Sequence, residues 1–60
     1  MTEIRMPQVG MLYPHVSGRG FVKLHVGMNQ MVAARIMGDR YDVGFLTDLM
    51  PVEDFWRLVA

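Results

Sequence analysis

GRGFVKLHVGMNQMVAARIMGDRYDVGFLTDL, residues 18–49, is the stretch whose reading decides the fold. Turn-forming residues punctuate it at short intervals: Ser17-Gly18-Arg19-Gly20, Gly27-Met28-Asn29-Gln30 and Gly38-Asp39-Arg40. Between them the side chains alternate with a period of two, the spacing at which a strand sends successive residues to opposite faces. The pattern predicts strands over Phe21–Val26, Met31–Met37 and Tyr41–Leu46, joined as a meander. Val22, Leu24, Val26, Val32, Ala34, Ile36, Val43 and Phe45 then share one face, the expected core face. Phe21, Lys23, His25, Met31, Ala33, Arg35, Met37, Asp42 and Leu46 fall on the other.

Working outward, Glu3–Leu12 reads as a first strand at a sheet edge, because Pro7 cannot donate to a ladder. Tyr13-Pro14 is expected to end it, since a residue before proline is held extended. At the other end Val52, Phe55, Trp56 and Val59 recur at helical spacing, one apolar stripe of an α-helix. Pro51 suits the first turn of that helix. Asp48, Glu53 and Asp54 sit near its N-terminal end, where the helix dipole favours negative charge. About nine residues of helix do not persist alone in water, so the stripe must pack on the sheet. The predicted class is α+β: one domain over residues 1–60, an antiparallel meander of about four strands with one C-terminal helix packed on it. The sheet is either open or a partly open barrel.

Sixty residues with 52% apolar and 20% charged side chains describe a chain that folds. A domain this small buries only about 60% of its unfolded surface and usually needs a staple. Cysteine is absent, which excludes disulfides and thiolate metal sites. Assembly with another chain is the staple that remains, and a homodimer or larger homo-oligomer is expected. No apolar run approaches the 18 or so residues of a membrane helix, and the N-terminus has no signal-peptide pattern, so no membrane contact and a cytoplasmic location are expected. The net charge is zero but uneven: residues 1–37 hold four cations and one anion, residues 38–60 two cations and five anions. Such an arrangement suits electrostatic complementarity between subunits or with a partner.

The second face raises the functional question. An antiparallel sheet with one solvated face normally carries polar residues there. Here Phe21, Met31, Met37 and Leu46 surround Lys23, His25 and Arg35. Three explanations follow from the physics: the sheet closes into a barrel, the face pairs with a second copy, or it meets another protein. Methionine adapts to irregular contacts and is frequent at binding surfaces, and seven of the 60 residues are Met. Met28 lies in a turn, where a core role is hard to arrange. Phe21, Met28, Met31, Arg35, Met37 and Leu46 are the expected contact residues.

Catalytic patterns are sparse. Ser17 is the one serine, and no G-x-S-x-G elbow surrounds it. Its nearness in sequence to His15 does not make a hydrogen-bonded pair, so it reads as a turn residue. His15 and His25 lack the spacing of a metal site, and no cofactor or metal is expected. Ser17-Gly18-Arg19-Gly20 lacks the lysine and hydroxyl of a phosphate loop, and its glycines read as hairpin residues. The expected function is a small non-enzymatic protein-binding module, a homo-oligomeric regulator or inhibitor of the kind that phages and mobile elements encode, for example against a host defence system. Two alternatives compete with it. Arg19, Lys23, His25 and Arg35, interleaved with Phe21, could bind nucleic acid, although a chain of pI near 6.7 lacks the usual basic excess. An enzyme would need a site formed between subunits.

Overall fold

The computed structural model describes residues 5–38 and 44–60. Its elements run β1 (Leu12–Pro14), β2 (Phe21–Met28), β3 (Met31–Met37), β4 (Gly44–Leu46), β5 (Met50–Pro51) and α1 (Val52–Leu58). The strands form one antiparallel sheet in the order β1-β2-β3-β4, and β5 pairs with β3 beyond the end of β4. The sheet is open, and the helix packs on one face of it, so the α+β meander of the sequence reading is the fold.

The β2–β3 hairpin is its centre. Met28 pairs with Met31, leaving Asn29 and Gln30 as a two-residue loop. Both have positive φ, 53° and 65°, the conformation of a type I′ turn whose twist matches that of the strands. From the turn the register runs Gly27↔Val32, Val26↔Ala33, then Leu24↔Ala34, Lys23↔Arg35, Val22↔Ile36 and Phe21↔Met37. One extra residue, His25, is inserted in β2 between Leu24 and Val26. A one-residue insertion sends every later side chain to the opposite face. Val26, expected in the core, therefore lies on the second face and is 47% exposed. Gly27 takes its place on the helix side. A Cβ there would lie 2.8 Å from the Met6 methyl and 3.2 Å from Val32 Cγ1, so the glycine makes room for Met6 to lie on the sheet.

The opposite edge of β3 carries a matching irregularity. Arg35 pairs with Leu46, but Val32 pairs with Met50, so the β4–β5 chain holds one more residue than β3 across that interval. Thr47 bridges the gap. Its N–H donates to Ala34 O at 2.9 Å, and its Oγ1 accepts from Ala34 N–H at 2.9 Å while donating to Asp48 O at 3.0 Å. The two insertions thus flank Ala33 and Ala34 from both sides. Bulges bend strands, and this sheet needs a bend. The seven-residue helix is about 10 Å long at 1.5 Å per residue. Its first N–H, from Val52, donates to Gln30 O at the hairpin turn, and its last carbonyl, of Leu58, accepts from Val16 N–H near the other end of β2. A straight eight-residue strand is about 26 Å long. The hairpin must therefore curl around the helix for one short element to reach both ends.

The core lies in that concavity. Val22, Val32, Ala34, Val52 and Phe55 are fully buried, with Tyr13, Leu24, Met50, Trp56, Leu58 and Val59 packed around them. Burial of the valine and phenylalanine side chains among them contributes about 1.5 to 3 kcal/mol each. Tyr13, Phe55 and Trp56 meet edge to face in all three pairings, with centroids 5.2 to 5.8 Å apart, a geometry their quadrupoles favour. The predicted helical stripe is correct for Val52, Phe55 and Trp56, whereas Val59 packs on the core from just past the helix. It bridges His15, and Ala60 N–H donates to Pro14 O, so the C-terminal residues line the outer edge of β1.

Three further expectations are corrected. Residues 5–11 form no strand: Pro7 is buried, Gln8 N–H donates to the Tyr13 hydroxyl, and Arg5 O accepts from Trp56 Nε1 while its guanidinium stacks 4.7 Å from the Trp56 ring. Strand pairing starts at Leu12 and includes Tyr13 and Pro14, because proline at an edge loses no ladder bond. Phe45 faces the helix side, opposite Ile36, yet is 63% exposed, since the helix packs against β3 and β5 rather than over β4. Tyr41, Asp42 and Val43, the start of the predicted fourth strand, lie outside the described residues.

Candidate interaction surface

Directly paired residues of an antiparallel sheet share a face, so the register assigns the side turned away from the helix. Leu12, Lys23, Arg35 and Leu46 form one row across β1, β2, β3 and β4. Pro14, Phe21, Met37 and Gly44 form the next row toward one end. Toward the hairpin lie Val26 with Ala33, then Met28, Met31 and Pro51. Alternation from Leu24 places His25 on this side as well.

All six contact residues named from the sequence therefore sit on one face. Their accessibility differs. Met28 is 68% and Leu46 48% exposed, and Met31 and Arg35 are also exposed. Phe21 is half-buried. Met37, at 7%, is buried within the face. The bulge adds Val26 to the exposed apolar set, and the β1 register adds Leu12. Neither was assigned to this face from the sequence. The signal for Val26 is weak in sequence, because a bulge leaves the local alternation of apolar residues intact and reveals itself only in the pairing.

The centre of the face is cationic. Lys23 and Arg35 are direct cross-strand partners, and neither has a hydrogen bond or ion pair among the described residues. Like charges placed opposite each other are destabilising. Of the nucleic-acid candidates, Lys23, His25 and Arg35 lie on this face. Arg19 lies in the loop before β2, where Ser17 organises the turn. His15 Nδ1 and Ser17 Oγ are 2.8 Å apart, Ser17 N–H donates to the same nitrogen at 3.0 Å, and Ser17 Oγ is 3.3 Å from both the N and the O of Arg19. Neighbours in sequence here do become a hydrogen-bonded pair. The bond is local to an exposed turn, and the nitrogen facing the serine already receives its backbone N–H.

An open cleft of about 390 Å³ lies between the N-terminal segment and β1, lined by Arg5, Met6, Gln8, Met11 and Tyr13. Its tyrosine hydroxyl is engaged by Gln8 N–H. Among the described residues no group of three or more His, Asp or Glu could hold a metal ion, and no helix is long and apolar enough to cross a membrane. No protein-family model, curated protein or solved structure matches the chain at a significant level.

Proposed function

We propose that this chain is a small non-enzymatic protein-interaction module that works through the sheet face opposite its helix. The observation that carries this reading is the set of exposed apolar side chains gathered there, Leu12, Val26, Met28, Met31 and Leu46, around Lys23 and Arg35. Several exposed apolar side chains grouped on one face suit a contact site on a folded chain, and methionines at its hairpin end give it an adaptable lining. A homo-oligomeric regulator fits a 60-residue chain without cysteine, because domains this small usually gain stability from a staple such as a partner. The test is Met31→Glu with Leu46→Glu. Both positions are exposed, so circular dichroism should be unchanged. The solution mass should fall to that of one chain, and capture of any binding protein should be lost. Unchanged assembly and capture would refute the assignment of the face.

One observation favours a second reading, nucleic-acid binding: Lys23, His25 and Arg35 converge on the same face. A salt-dependent shift of a fluorescent oligonucleotide that disappears in Lys23→Gln, Arg35→Gln would support it.

A further inference from the structure

Building on the contact face above, we infer that its occupant is a second copy of this chain, docking through its own Asp48–Glu53 ledge. The centre of the face breaks a pairing rule of antiparallel sheets. Lys23 opposite Arg35 opposes sheet formation in the isolated chain, and such local conflicts gather where function demands them. No described carboxylate pairs with either cation, which suits carboxylates supplied by a partner. Stacking this face on itself about a two-fold axis through the pair would bring four cations together, so face-to-face pairing centred on the pair is opposed by charge.

The same chain carries the complement. Every described acidic side chain lies between residues 48 and 54. Asp54 is engaged by Arg57 at 3.4 Å, whereas Asp48 and Glu53 are exposed and unpaired among the described residues. Between them Leu49 is 64% exposed. Two exposed carboxylates, with an exposed leucine between them in the sequence, are complementary in charge and polarity to a face that carries two cations with Val26, Met31 and Leu46. The described cations of the face and the described carboxylates Asp48 and Glu53 are thus of opposite sign and can meet across copies.

Light scattering over a concentration range reaching millimolar tests this directly. The wild type should reach at least twice the 6.9 kDa of one chain, with association weakening as salt rises. Lys23→Glu should lower the association affinity by about tenfold. The same substitution should raise the unfolding midpoint of the dilute chain, because it turns a like-charge cross-strand pair into an opposite-charge one. A merely structural lysine would not give these opposite signs. Two doubly reversed proteins, Lys23→Glu with Arg35→Glu and Asp48→Lys with Glu53→Lys, should each be monomeric alone and associate when mixed. If a reversed protein does not fold, the neutral pair Lys23→Gln with Arg35→Gln should still lose association. A wild type that stays at the mass of one chain at millimolar concentration overturns the second-copy inference and leaves the face reading to the Met31→Glu test. Assembly that ignores charge reversal but is lost in Met31→Glu overturns the ledge and keeps the face.

Discussion

Gln30 holds φ at 65° in the second position of the hairpin turn, a conformation that costs a residue with a Cβ about 1 to 2 kcal/mol. Its carbonyl accepts the first N–H of the helix, so the turn is kept by a tertiary bond as well as by its strands. Glycine adopts this conformation freely but brings greater entropy to the unfolded chain. Gln30→Gly should therefore stabilise the fold by about 0.5 to 1 kcal/mol, read as an upward shift of the urea midpoint with unchanged slope. At Gly20 the opposite holds. It combines φ of 75° with a backbone so close to the Met37 carbonyl that no Cβ fits. The sequence reading of hairpin glycines in 17–20 needed only the turn. The close approach to Met37 is a fact of the folded sheet.

Among the elements, the β4–β5 segment shows how a side chain takes over the work of a ladder. Thr47 Oγ1 receives Ala34 N–H where the extra residue breaks regular pairing, and Ala34 is fully buried. Thr47→Val preserves shape and removes that acceptor, so a buried N–H is left unsatisfied. The cost should be about 1 to 3 kcal/mol by denaturant unfolding, with faster amide exchange at Ala34 as the local sign. The helix is held in a comparable way. Pro51 at its N-cap has no capping side chain, and the carbonyl of Gln30 serves instead. Asp54 and Arg57 form an exposed i,i+3 pair that adds little. The helix thus depends on the hairpin for its start and on the β1 edge for its end.

At the scale of the whole molecule, one short helix ties the hairpin turn to the β1 edge, and the sheet curls to allow it. That arrangement spends the concave face on the core and turns the other outward with its apolar residues and its two facing cations. If a second copy covers that face, folding and assembly are linked. The thermal midpoint should then rise with protein concentration, as any partner that binds only the native state requires. The rise should vanish in Met31→Glu, for which the midpoint should be independent of concentration.

Local chemistry alone determined much of this protein. Period-two alternation marked β2 and β3, Asn29 marked the hairpin, and the 3.6-residue spacing of Val52, Phe55 and Trp56 marked the helix, because each signal lies within a few residues of the feature it specifies. The clustering of Phe21, Met31, Arg35, Met37 and Leu46 on one face followed from the same alternation, whereas Met28 reached that face only through the bulge in β2. Only the tertiary structure decided the rest. The His25 insertion moved Val26 outward and put Gly27 under Met6, and the limited reach of the helix left Phe45 exposed. The N-terminal segment became a covering strap against Trp56 rather than an edge strand. Each of these depends on which residue stands opposite which across the sheet, and pairing between distant segments is set by the closure of the whole fold, not by the preferences of any one stretch.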